Sequence, residues 1–286
     1  MYTAKIENRS GDVYILNGDE AAWQIASITG LNPPQGLINM TTIVGLDGAV
    51  YNSAKLETRN IVITVRITGN AERNRLQLYR AFRTKEWCRF YYSNGSVDVW
   101  IDGYVESIEC DLFRKAEQAQ ISIICPQPYF RSVKQIIADL SSVTGLFTFP
   151  FTINEDEPIP ISSFDQDATA IVTNETATPT GVIIELDFSG SANDVVIADT
   201  DTGEQIHLVY AFQAADRVTI NTNPGEKSVR LTRNGVTTSI FSAVQLGSVF
   251  FQLQPGRNGF TYSVDSGAHT GDVYVMMRFY NQYRGV

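Results

Sequence analysis

The chain has 286 residues, 43% hydrophobic and 19% charged, the balance of a folded protein rather than a disordered one. Its net charge of -9 excludes sequence-independent phosphate binding driven by counterion release and disfavours anionic membrane surfaces. No apolar run approaches the ~20 residues of a membrane helix; "MYTAKIENRSGDVYIL" has no signal-peptide core; and Cys88, Cys110 and Cys125, odd in number and far apart, are expected as free thiols.

The first predicted elements are short strands. "DVYIL" alternates, with Val13 and Ile15 on one face; "WQIASITGL" follows, and "NPPQG" reads as a loop. In "AKLETRNIVITVRITG", Ile61, Ile63, Val65 and Ile67 alternate with Val62, Thr64, Arg66 and Thr68, which predicts a strand with one buried face. "NAERNRLQLYRAFRTKEW" predicts the one strong helix. Asn70 is its N-cap, Leu78 and Phe82 lie on the buried side, and Leu76, Tyr79 and Arg83 form a second stripe beside them. The arginines of this helix, Arg73, Arg75, Arg80 and Arg83, are expected at subunit contacts or in solvent. Glu72 and Glu86 interrupt the cationic stripe and argue against a nucleic-acid surface.

"CRFYYSNGSVDVWIDGYVESIEC" reads as a hairpin turning at Asn94-Gly95, and "AEQAQISIICP" as a further strand. In "CPQPYF", Pro126 and Pro128 stop that strand, because proline has no N–H for the ladder. Residues 1–135 are therefore expected to form an α+β domain of antiparallel strands and one helix. A connection over about 131–165 follows, with three prolines and the acidic run Glu155, Asp156 and Glu157. From about residue 168 short strands recur, punctuated by Thr202-Gly203, Pro224-Gly225, Asn234-Gly235, Pro255-Gly256 and Asn258-Gly259. That spacing predicts an all-β antiparallel sandwich, so the second domain is placed at 136–286.

Chemistry is sparse. His207 lies in the strand-like "EQIHLVYAF" and His269 in the loop "SGAHTGD". Ser266, His269 and Asp272 are close in sequence, but proximity in sequence is not the geometry of a nucleophilic triad. No clustered Cys and His set, phosphate-binding glycine loop or metalloprotease motif is present, so no catalytic residue, metal ligand or cofactor is assigned. The pairs Asp165/Asp167 and Asp199/Asp201 lack the later ligands of a calcium loop and read as solvated turns. All three tryptophans, Trp23, Trp87 and Trp100, fall in the first half, leaving the second with only tyrosines such as Tyr210, Tyr262, Tyr274, Tyr280 and Tyr283, and with phenylalanines, to stack on a sugar.

Several stretches in order resemble the siphophage distal tail proteins. "LETRNIVITVRITGNAERNRLQLYRAF" is similar to the family's strand and helix. "CPQPYF" is similar to its "CPDPFF"-like motif, with Gln127 for Asp and Tyr129 for Phe. "FFQLQPGRNGFTYSV", "VTINTNPGEKSVRLTRNG" and the terminal "MMRFYNQYRGV" are similar to its galectin-like, jelly-roll-like C-terminal domain. The resemblance implies a non-enzymatic virion protein of the tail tip or baseplate, assembled in the host cytoplasm. It implies a homo-hexameric ring formed by the N-terminal domain, set between the tail tube protein and the tail-tip hub (tail-associated) protein. The C-terminal domains would project outward and carry receptor-binding proteins, and DNA would pass without specific binding. Two other readings are a non-catalytic carbohydrate-binding sandwich at a virion or cell surface, and a β-sandwich glycosidase or protease. Against sugar, the residue sets that galectins use are absent, so no galactoside binding is expected.

Overall fold

The computed structural model describes residues 2–17, 22–112, 117–140, 143–145, 162–164, 170–264 and 272–286. The acidic run at 155–157, and Asp165, Asp167, Ser266 and His269, lie outside the described residues. The chain divides into two compact units, Met1–Lys134 with Gln282–Val286, and Gln135–Asn281.

The elements that begin in the first unit are β1 (Thr3–Asn8), β2 (Val13–Ile15), β3 (Trp23–Thr29), β4 (Gly36–Thr41), β5 (Val50–Leu56), β6 (Arg59–Ile67), α1 (Ala71–Ala81), β7 (Trp87–Ser93), β8 (Asp98–Cys110), β9 (Gln118–Cys125) and β10 (Phe130–Asp139). All the pairings are antiparallel. The long β8 joins two sets of strands: its first half pairs with β7 and the start of β10, its second half with β9. β7 continues to β1 and β2, and β9 continues to β6 and β3. The change of partner falls near Gly103, where a Cβ would meet Ile123 Cγ2 at 2.6 Å, and is followed by a bulge between Val105 and Ser107. A bulge bends the strand and a glycine permits the close approach.

β6 shows the expected alternation, with Ile61, Ile63, Val65 and Ile67 buried against Ile121, Ile123, Phe90 and Ile6 in one core. Arg59 stands in phase with that apolar row and is buried too. β2 differs from the simplest reading of "DVYIL". It is an edge strand whose Val13 and Ile15 stay exposed, while Tyr14 turns inward toward Trp23.

The helix begins where Asn70 accepts a hydrogen bond from Arg73 N at 3.1 Å, satisfying one of the unpaired amides of the first turn. Leu78, Ala81 and Phe82 are buried, and Trp23 Nε1 donates to Asn74 O at 3.0 Å, tying β3 to the helix. The helix ends at Ala81, earlier than its sequence pattern suggests. Lys85 adopts a positive φ of 70°, and Lys85 N donates to Val105 O at 2.8 Å, so the chain turns into the sheet.

The second unit contains β11 (Val143–Gly145), β12 (Ser162–Phe164), β13 (Ala170–Asn174), β14 (Ile183–Phe188), β15 (Ala192–Asp199), β16 (Gln205–Phe212), β17 (Arg217–Asn221), β18 (Ser228–Arg233), β19 (Val236–Ser239), β20 (Gly256–Val264) and β21 (Val273–Tyr283). One sheet runs β19-β18-β17-β14-β21 and another β13-β20-β15-β16. Inward residues of both, among them Ile184, Leu186, Val195, Ile197, Leu208, Val275 and Phe279, make a single core, with Phe188 stacked on Phe212 at 4.5 Å and Phe251 on Phe260 at 5.1 Å. Tyr262 and Val264 lie at the edge of that core, half-buried. The β18–β19 turn places Asn234 and Gly235 both at positive φ, as the short hairpin turn requires.

Of the stretch "SVFFQLQPG", only Gly256 joins a ladder, as the first residue of β20. Thr180 and Leu253 exchange two backbone hydrogen bonds as an isolated bridge. Asn258, buried, explains the neighbouring "PGRN". Its side chain accepts from Gln254 N at 2.7 Å and donates to Gln254 O and Gly256 O, both at 2.9 Å, closing the turn.

Candidate assembly surface

Several titratable groups serve the structure. His207 on β16 is hydrogen-bonded to Asp194 of the neighbouring β15. Asp199 is buried rather than solvated: its Oδ1 accepts from Asp201 N and Thr202 N at 2.8 and 3.0 Å, while Asp201 Oδ2 accepts from Gly259 N at 3.0 Å. Both aspartates therefore hold a turn by accepting amides, where the sequence suggested open carboxylates. Among the described residues no group of three or more His, Cys, Asp or Glu side chains is placed to hold a metal ion. Burial pushes the Cys88 and Cys125 thiols up to about 12, the opposite of the thiolate a nucleophilic cysteine needs.

The four helix arginines divide. Arg75 Nη1 meets Glu117 Oε2 at 3.0 Å, largely shielded from water, so it is spent within its own unit. Arg83 lies 3.9 Å from Glu86 and is exposed. Arg73 and Arg80 have no ion-pair partner among the described residues and line an open groove of about 490 Å³ with Asn70, Glu72, Leu76 and Gln77. Leu76 and Tyr79, of the second stripe beside Leu78 and Phe82, are 52% and 38% exposed. The helix thus presents an outer face that mixes cations with apolar side chains.

The larger exposed surface is a segment that sequence reasoning passed over. β4 and β5 pair only with each other as a hairpin. Every residue from 35 to 55 is exposed. Residues 36–54 carry one charge, Asp47, yet include Leu37, Ile38, Met40, Ile43, Val44, Leu46, Val50 and Tyr51, with Val44 fully exposed at the tip. Gly45 and Gly48, both at positive φ, turn that tip. An isolated two-stranded hairpin is marginal in water, and an exposed apolar surface of this kind marks an interaction site. The sequence signal was there, the β-branched run "TTIV" before "GLDG" and the apolar "AVY" after it; what it lacked was any sign that both faces would stay exposed.

The second unit has its own exposed apolar cluster. Phe241 and Phe250 stack with centroids 5.6 Å apart, Lys227 Nζ lies 5.5 Å from the Phe250 ring, and Leu246 is fully exposed nearby in sequence. β19, beside it in the chain, is the edge of its sheet.

Residues 175–283 match the family described as siphovirus-type tail component, C-terminal domain. No curated protein matches the sequence. Among solved structures, the chain shares the fold of the SPP1 Dit protein, described as a paradigm of the hub adsorption apparatus in phages that infect Gram-positive hosts. The TM-score is 0.70 at 14% identity, over 99% of both chains. It also shares the fold of a chain in the baseplate of phage P2 in its activated conformation, with Ca (TM-score 0.56, 12% identity, 100% of both chains) and with Sr (0.55, 13% identity, 100% of both chains).

Proposed function

We propose that the chain is a siphophage distal tail protein, a structural component of the phage tail and baseplate, and the subunit of a hexameric hub ring; the family match over residues 175–283 and the shared fold support this reading. The ring joins the tail tube protein above to the tail-tip hub protein below. The first unit forms it. The observation that carries this reading is the β4–β5 hairpin, whose apolar side chains have no cover among the described residues. In a ring each hairpin lies on the next subunit, and cyclic closure leaves none unpaired. Arg73 and Arg80, on the outer face of α1, and Arg83, just past its end, contribute to subunit contacts, while Arg75 serves its own subunit through Glu117.

The second unit, read as galectin-like, offers the cluster around Phe241 and Phe250 to receptor-binding proteins. DNA passes through a channel whose wall, built from loops of the first unit, is neutral or acidic, because basic residues there would hold phosphates through salt-dependent contacts.

The direct test charges the hairpin tip. Val44→Asp with Leu46→Asp is expected to leave the circular dichroism of the chain unchanged and to lower the assembled mass seen by sedimentation. An unchanged assembly in this variant contradicts the role of the hairpin. Salt-sensitive DNA binding at submicromolar concentration by the purified assembly contradicts the neutral or acidic channel.

A further inference from the structure

Three stretches that stand out in the sequence, "LETRN", "CPQPYF" and the terminal "NQYRGV", meet at one guanidinium. Arg59, the first residue of β6, is 2% exposed. Its Nε donates to Pro128 O at 2.9 Å, its Nη1 to Asn32 O at 2.7 Å and to Gly30 O, and its Nη2 to Arg284 O at 2.5 Å. The Phe130 ring lies against it, 4.5 Å from Cζ to centroid. No carboxylate among the described residues shares the charge. A buried cation without an anion is costly unless its donors are met, and here carbonyl oxygens and an aromatic face do that work.

The surroundings are shaped for the same convergence. Gly30 sits at φ +87°, and a Cβ there would lie 2.1 Å from Asn60 O. Gly285 passes Pro33 so closely that a Cβ would fall 2.7 Å from the proline Cδ. Val286 N donates to Leu31 O at 3.1 Å. The last residues of the chain are thus laid along the 30–33 loop. Four carbonyls from three distant parts of the sequence point at one spot, an arrangement that repels itself unless a planar, multi-donor cation fills it. A lysine, with a single ammonium on a flexible stem, does not match that fork.

The chain leaves the first unit after Lys134 and returns at Gln282. Pro128 and Phe130 lie just before the exit, and Arg284 just after the return. We propose that Arg59 is a clasp, a positioning residue that fastens both connections to the second unit onto the first. With the fork in place the tail is held; without it, residues 282–286 come free while the sheets of the first unit persist, and the second unit is left with one fastened connection instead of two.

The test is hydrogen exchange on the full chain with Arg59→Ala. Amides at 283–286 are expected to exchange about tenfold faster or more, the order of one lost hydrogen bond, while β1 and β7 keep their protection. Guanidinium chloride at tens of millimolar, far below denaturing levels, is expected to restore much of the tail protection, and ammonium chloride at the same concentration is not. Unchanged tail protection, or restoration by ammonium as full as by guanidinium, overturns the clasp. Should Arg59→Ala not fold, Arg59→Lys carries the test: faster tail exchange supports the fork, and wild-type protection overturns it.

Discussion

Two neighbouring stretches of the first unit, the β4–β5 hairpin and strand β6, have similar β-forming, apolar sequences and opposite fates. In β6 the apolar residues recur with period two, so one face, Ile61 to Ile67, is fully buried. In the hairpin, Leu37 and Ile38 are adjacent on β4, as are Val50 and Tyr51 on β5, so apolar side chains point both ways. A strand in a sheet with one packed face needs one apolar face. A hairpin with two cannot bury both in that way, and its apolar side chains stay exposed. Apolar content alone therefore does not tell core from exposed surface; the phase of the pattern and the neighbours do.

The largest effect that separates the two is on stability. Ile63→Ala is expected to cost about 2–5 kcal/mol, as for a fully buried aliphatic side chain. Ile38→Ala in the hairpin is expected within about 0.5 kcal/mol in dissociated chains. Urea melts of both variants check this, and a cost at Ile38 equal to that at Ile63 breaks the contrast. The second unit offers the same comparison: Phe260→Ala is expected to cost about 3–5 kcal/mol, and Phe241→Ala, exposed on its surface, within about 0.5 kcal/mol.

A smaller effect lies in acid. Asp216 is buried and bonded by Arg233 at 2.7 and 2.5 Å. That hydrogen-bonded guanidinium holds its carboxyl below the ordinary aspartate range. The pair's stabilisation is complete above the unfolded pKa of ~3.9. It is lost as pH falls through the lower folded value. Asp216→Asn is expected to flatten the acid limb of the stability profile measured by thermal melts from neutral pH downward; an unchanged acid limb contradicts the assignment. The smallest effect is chemical. In the native chain Cys110, half-buried, is expected to be alkylated by iodoacetamide near neutral pH before Cys88 and Cys125, whose burial raises their thiols. Mass spectrometry reads the order, and early labelling of Cys88 contradicts the packing.

What could be read from the residues followed local pattern. The alternation of β6, the Asn70 cap, the Asn94-Gly95 and Asn234-Gly235 turns and the strand succession after residue 168 are short-range signals, and the structure carries them. What escaped depends on distant neighbours. Arg59 stands in phase with Ile61, so its burial was implied by period two, but the carbonyls that receive it come from Gly30, Asn32, Pro128 and Arg284. Leu76 and Tyr79 adjoin the Leu78 stripe by spacing, yet only the side of α1 bearing Leu78 and Ala81 is buried. Asp199 looked like a solvated turn carboxylate because its partners are backbone amides, which no residue pattern displays.

The central claim is that the first unit assembles copies of this chain into a closed ring through surfaces it cannot cover itself. Light scattering coupled to size exclusion on the purified chain tests it most directly. The account predicts an assembly at six times the 31.7 kDa chain, or a multiple of that ring, which the hairpin-tip variant Val44→Asp/Leu46→Asp reduces. A strictly monomeric chain at high concentration, with the same mass in the variant, would contradict it and favour the carbohydrate-binding reading instead.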